Sequence, residues 1–380
     1  MTTTETHIHP VAGPDLVAAA QAVGPDLAAR AHGHDLDGTF VADNIDQLRQ
    51  RGYLASPVPV ELGGGGATTA EVARAQLELA RHCASTALTT TMHLHVVLLN
   101  AWRWRQGHDD AAALLRRVAE EGLVVASTGG GDFTRPTGVA RAVDGGWRVS
   151  GHKAFVSGVT ASGAAAMWAT SEDGEAIGFG LPLATDGVTI VETWDAPGMR
   201  GTGSHDVVLD EVFVGQAQVT ARRAPGEFAP VLAVLAAKAL VVIAATYLGT
   251  AVGARDALLD ALEQDERRDP GRARRLGEIT QHLAEGQWAL DGVLADLGDD
   301  PEPTPDTFVT ATLAKRAIID HARAVGDLAM DVIGGRGYRR GQRIERAWRD
   351  LRAGPFHPVD HEQALRLAGD HALGRPLDLS

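Results

Sequence analysis

The chain has 380 residues, 44% hydrophobic and 22% charged, with a formal net charge of −14. That length exceeds one ordinary hydrophobic core and predicts two or three subdomains of a globular protein. The acidic balance works against a nucleic-acid partner, which would need Lys and Arg to neutralise phosphates, and the single cysteine, Cys83, rules out an internal disulfide. The stretch Met1–His7 has neither a basic start nor an apolar core, so secretion is not expected. A cytoplasmic protein is expected.

Apolar residues at helical spacing predict helices over 15–31 and 44–51. Pro57 to Gly66 breaks the pattern, and Thr68-Thr-Ala-Glu71 restarts it as a capping box. Helices over 70–81, 85–105 and 109–121 complete an N-terminal helical domain, residues 1–121. From 122 to 225 short apolar runs separated by Gly, Asp and Pro predict strands over 123–126, 139–143, 147–149, 167–170, 177–182, 188–192 and 207–214. A middle β-barrel or sandwich domain is expected there. Residues 226–380 read as helical again, over 228–263, 272–297, 306–333, 344–352 and 361–372, forming a C-terminal helical bundle. The run Ala229–Ala254 is apolar enough to suggest a membrane span, but Lys238 and the amphipathic continuation favour a helix buried in a bundle, with no membrane partner.

The glycine clusters Gly63–Gly66 and Gly129–Gly131 lack the Lys-Ser/Thr of a phosphate loop and the acid that follows a dinucleotide fingerprint. Residues two apart on a helix face different ways, so the His-x-His pairs at 7/9, 32/34 and 93/95 do not form shared ligand sets. No Cys/His set has ligand spacing, and no metal is expected.

Three further stretches stand in a telling order: Gly151-His-Lys-Ala-Phe-Val-Ser157, Gly198-Met-Arg-Gly-Thr-Gly-Ser204, and Val332-Ile-Gly-Gly-Arg-Gly-Tyr338 followed by Ile344-Glu-Arg-Ala-Trp-Arg-Asp350. Together they resemble the acyl-CoA dehydrogenase superfamily of flavoproteins, from about Pro14 to Gly374. The resemblance implies an α+β fold with the three domains above, and a flavin, FAD or FMN, between the β and C-terminal domains. Carried over residue by residue, Phe155 lies near the flavin ring and Ser157 bonds its N5 side. Ser127 and Thr128 offer hydroxyls and backbone N–H groups, although the family's Thr-Glu-Pro loop here reads Ala126-Ser-Thr-Gly-Gly-Gly-Asp132. Gly334, Gly335 and Gly337 would approach the cofactor of a neighbouring subunit in a homodimer or homotetramer. The family's Arg-x-x-Phe-Gly is replaced by Arg267-Arg-Asp-Pro-Gly-Arg272, where an arginine substitutes for it or the stretch is a solvated loop.

The departure lies in the base. The family's usual glutamate falls on Pro358, and an alternative position falls near Ala239. His357, with Asp360 close by, is the adjacent titratable candidate. Arg352-Ala-Gly-Pro-Phe-His-Pro358 resembles instead the related reduced-flavin monooxygenases. His93, Arg200 and Ser204 are further substrate-pocket candidates by family position, each with an ordinary packing or surface role as the alternative. Three readings stay open: a flavin-dependent oxidation of an acyl-thioester-like substrate at a CH–CH group, a monooxygenase fed by a separate flavin reductase, and a flavin-less binding protein. An electron-transfer partner fits the first of these.

Overall fold

A computed structural model describes residues 9–128, 130–224 and 227–379. The Met1–His7 segment, Gly129 and the boundary at 225–226 lie outside the described residues.

Five helices open the chain: α1 (Leu16–Asp37), α2 (Ala42–Gln50), α3 (Thr69–His82), α4 (Ala84–Arg105) and α5 (Asp110–Glu121). The sequence stops the first helix at Ala31, but α1 runs on through His32 and His34 to a left-handed cap at Gly38. The capping box forms as written: Thr68 Oγ1 accepts from Glu71 N–H, and the Glu71 carboxylate accepts from Thr68 N–H. Nearly every residue of α4 from Thr86 to Ala101 is buried, because it runs between the helical layers and the sheet.

The middle region is one eight-stranded sheet: β1 (Val125–Ser127), β2 (Val139–Val143), β3 (Gly146–Val156), β4 (Ala164–Ser171), β5 (Ala176–Pro182), β6 (Val188–Val191), β7 (His205–Gly215) and β8 (Val219–Arg223). The order is β6-β7-β3-β2-β4-β5-β8, and β1 adds to β4 in parallel. Its inner face is a separate apolar cluster around Trp147, Met167, Phe179 and Val212. Two features escape the sequence pattern. β3 runs well past Val149, through the polar Ser150-Gly-His-Lys153, and β8 has two arginines among its five residues. In both, pairing to a neighbouring strand outweighs weak alternation.

The C-terminal region holds α6 (Pro230–Ala261), α7 (Pro270–Leu297), α8 (Pro305–Ile333), α9 (Arg343–Leu351) and α10 (His361–Ala372). α6 is the central column: its most apolar window is 94% buried, so its hydrophobicity is spent on helix neighbours. Gly249 and Gly253, one turn apart, let it approach α3 closely. A Cβ on Gly249 would lie 2.0 Å from Leu77 O, and one on Gly253 would lie 2.5 Å from Arg81 O. Lys238, buried within α6, is held by the Asp299 carboxylate at 3.1 Å and Thr69 Oγ1 at 2.6 Å.

Candidate active site

The motifs hold one another before they hold anything else. A Cβ on Gly198 would sit 2.4 Å from Arg349 O, so the loop 198–204 rests directly on α9. Met199 N–H donates to the Asp350 carboxylate at 2.5 Å, and burial pushes that carboxyl up to about 6. The Arg349 guanidinium takes both oxygens of Asp35, at 2.6 and 2.9 Å, which ties α1 to α9. Arg200 donates to Asp35 O and to Ala196 O. It is thus a loop anchor, and it does not line the cavity.

That cavity, about 380 Å³, lies between α4, α5, the sheet and α6. Its walls are mostly apolar: Met92, Val96 and Leu99 of α4, the alanines at 164–166 of β4, and Leu235 and Ile243 of α6. Both positions on which the family's glutamate falls, Pro358 and Ala239, are on this wall. The one carboxylate among the described lining residues is Asp110, at the polar end with Asn100 and Arg117, where it is paired to Arg103 at 2.6 Å.

Two imidazoles reach the same cavity, and their hydrogen bonds assign their tautomers. His95 Nδ1 lies 2.9 Å from Thr91 O; a carbonyl only accepts, so Nδ1 carries the proton and Nε2 offers a lone pair. His357 Nε2 lies 2.8 Å from Tyr247 Oη. Burial raises the phenol far above its usual range, and His357 Nε2 is the one hydrogen-bond partner of this fully buried hydroxyl among the described residues. Its O–H therefore donates to Nε2 rather than go unsatisfied, which leaves the His357 proton on Nδ1. The cavity therefore has one imidazole acceptor and one imidazole donor. Burial lowers His95 to about 4 and, with Lys315 and His95 adding like charge, lowers His357 to about 3. Both are neutral at pH 7.

Lys315 fixes the loop that carries His357. Its fully buried ammonium donates to His357 O at 2.6 Å and to Val359 O at 2.7 Å, and burial brings it down to about 7 against the pull of Asp360 and Asp320. Asp360 itself is not in the cavity. It is exposed and caps α10, accepting from Gln363 N–H at 2.8 Å, so Asp360 as a catalytic candidate beside His357 is corrected.

His93 is likewise corrected as a pocket residue. Its Nε2 donates to Leu54 O at 3.0 Å and its Nδ1 accepts from Val125 N–H at 3.1 Å, so one nitrogen ties α4 to the loop after α2 and the other ties it to β1. Met92, Val96 and Leu99 make one helical stripe with His95 on it and His93 off it, but the fold alone decides that this stripe is the one facing the cavity.

The residues expected to meet a flavin fall into two groups. Ser127 and Thr128 end β1 at the cavity wall, and the Thr128 hydroxyl is buried without a partner among the described residues. Ser157 is hydrogen-bonded to Ser204 at 2.8 Å, and Ser204 to Thr202 at 2.7 Å, a hydroxyl chain against α4, where a Cβ on Gly158 would meet the Thr89 side chain at 2.7 Å. Phe155 is 60% exposed with a left-handed φ of 60°, a strained placement of an aromatic ring on the surface. Phe155 and Ser157 do not line the cavity, and the Phe155 ring packs edge-on against Trp194 at 6.2 Å. The orphaned Thr128 hydroxyl at the cavity wall and the exposed Phe155 ring offer the polar and aromatic contacts that a flat cofactor with polar edges would use. Gly334, Gly335 and Gly337 form a turn after α8 and do not line the cavity of their own chain; a Cβ on Gly334 or Gly335 would meet nothing within 4 Å.

The expectation of no ligand set also changes with the fold. His282, Glu285 and His321, drawn from two helices, converge with side chains about one-third exposed.

Sequence models of the acyl-CoA dehydrogenase N-terminal, middle and C-terminal domains match residues 17–109, 126–212 and 237–357. YdbM of Bacillus subtilis (strain 168), provisionally assigned as an acyl-CoA dehydrogenase, is 32% identical over 88% of this chain and 91% of its own length. The amino sugar nitrososynthase DnmZ of Streptomyces peucetius is 30% identical, over 92% of this chain and 91% of its own. Among solved structures, KijD3 in complex with FMN and dTDP-3-amino-2,3,6-trideoxy-4-keto-3-methyl-D-glucose superposes with a TM-score of 0.86 at 30% identity, covering 99% of this chain and 98% of that one.

Proposed function

The chain belongs to the acyl-CoA dehydrogenase superfamily and is a flavin-dependent oxidoreductase; on that premise we propose that it is a monooxygenase that takes reduced flavin from a separate reductase. The carrying observation is a cavity with two neutral imidazoles and no glutamate at either family position. A carboxylate that accepts a proton becomes neutral, whereas an imidazole becomes a cation. In this apolar cavity, beside Lys315, burial opposes that cation, which is why His357 sits at about 3. Such a site is poor at holding a carbon-bound proton. It is well suited to orienting a substrate N–H or O–H towards His95 Nε2 while His357 Nδ1–H donates to an oxygen.

The flavin, when bound, supplies two electrons to O₂, so that with two protons one oxygen atom enters the substrate and the other leaves as water. Ser127, Thr128, Phe155 and Ser157 would hold it, and the glycine turn at 334–337 would complete the site in a homodimer or homotetramer. FMN is the form in KijD3, and FAD is the form the family resemblance implies. The apolar wall suits a small, largely apolar amine or phenol, and the names of DnmZ and KijD3's ligand favour an amine.

The test supplies FMN or FAD, a flavin reductase, NADH and ¹⁸O₂ with a panel of amines and phenols. Incorporation of one labelled oxygen is expected. Anaerobic conversion of an acyl-thioester to its enoyl product with a dye acceptor, and no labelled product, would overturn the reading in favour of the dehydrogenase.

A further inference from the structure

We infer that His282 and Glu285 of α7 and His321 of α8 form a binding site for a divalent transition-metal cation of the zinc class, outside the cavity lining and clamping two helices of the C-terminal bundle. Three donor atoms, His282 Nδ1, His321 Nδ1 and Glu285 Oε2, form a triangle. The two nitrogens are 3.0 Å apart, and the carboxylate oxygen lies 3.3 Å from His321 Nδ1 and 3.8 Å from His282 Nδ1. Ligands about 2.0–2.1 Å from a tetrahedral zinc are separated by about 3.3–3.4 Å. The three observed separations bracket that edge, so one ion fits over the face of the triangle without moving the backbone. Two imidazoles and a carboxylate are a donor set for zinc, cobalt or nickel rather than for calcium or magnesium.

The arrangement is built by the fold. His282 and Glu285 are three apart on α7 and share a face. Gly286 brings that face close: a Cβ there would lie 2.9 Å from the Leu248 side chain of α6 and 3.7 Å from His321 Cβ. The second carboxylate oxygen of Glu285 accepts from Gln281 at 2.9 Å, the kind of outer contact that orients a metal ligand. All three side chains are about one-third exposed, so an ion and a water as fourth ligand reach them from solvent.

The probe is Zn²⁺, or Co²⁺ for its visible ligand-field bands, titrated into the chelator-treated full-length protein. One equivalent per chain is expected, with a rise in melting temperature. His282→Ala and His321→Ala should each weaken binding at least about tenfold, as even outer-contact changes do, and Glu285→Gln should weaken it less. Flavin binding should be unchanged in all three. The pairs His7/His9 and His32/His34 are competing imidazoles, so the deciding comparison is with His321→Ala. Retention of cobalt bands and affinity in that variant, or wild-type binding weaker than about 100 μM, would overturn the site. If His321→Ala folds poorly by circular dichroism, His321→Gln keeps the volume and serves the same comparison.

Discussion

His357 owes its standing to its neighbours, and each neighbour can be removed. His357→Ala should lower turnover by about two orders of magnitude with flavin affinity nearly intact, the scale of a lost preorganised hydrogen-bond donor. Tyr247→Phe keeps the ring and deletes the hydroxyl 2.8 Å from Nε2. It frees the tautomer, so turnover should fall by a smaller factor with the melting temperature little changed. Asp360→Ala should cost only a helix cap, about 1 kcal/mol, and an abolished turnover in that variant with full activity in His357→Ala would reverse the assignment. On the flavin side, Ser157→Ala should cost on the order of 1 kcal/mol of cofactor affinity, and Phe155→Ala with it more. An unchanged flavin titration would remove that strand from the site. Of these residues, motif position pointed to His357, which lies on the cavity wall, and to Ser157 and Phe155, which do not. Tyr247, Lys315 and His95 carried no such signal, because each lies in a run of ordinary helix and meets the cavity or the His357 loop only through what the fold sets opposite it.

At the scale of elements, the helices were readable wherever periodicity and caps agree, as at Thr68–Glu71. The misread strands, β3 and β8, are those whose partners matter more than their own pattern. α6 could be read as a membrane span by composition alone, and its packing against α3 shows why it is not one. Gly249 is the tightest point of that packing. Gly249→Val would drive a side chain into the Leu77 carbonyl, and a loss of about 3 kcal/mol or more is expected from such overpacking. Urea unfolding would register this as a lower midpoint, and an unaltered midpoint would mean that α3 and α6 are not held so closely.

For the whole molecule, buried histidines set the response to acid. His93 and His95 sit near 4 and His357 near 3, below the 6.5 of an unfolded histidine. The unfolded chain therefore takes up protons first. The stability these groups contribute is fully present above pH 6.5 and is lost as pH falls towards 4, at up to about 1.4 kcal/mol per pH unit for each. Asp350, raised to about 6, acts in the opposite sense between about pH 4 and 6 and offsets one histidine. Melting temperature should fall from pH 6.5 to 5, and His95→Asn should flatten the fall; a level profile in the parent protein would mean the imidazoles are not held neutral. Assembly has its own test. Gly335→Val meets nothing within its own chain, so it should fold normally yet lose flavin if the turn reaches a partner's cofactor. A stable monomer in sedimentation that retains full flavin would sink that proposal.

The sequence by itself determined the helix–sheet–helix layout, the family and the absence of the glutamate. These follow from local periodicity and from motifs whose residues are contiguous. Only the tertiary structure decided that His95, and not His93, faces the cavity, that Asp360 is a cap, and that His282, Glu285 and His321 converge. Those facts depend on which face of one element meets which face of another, and that is fixed by packing between residues far apart in the chain.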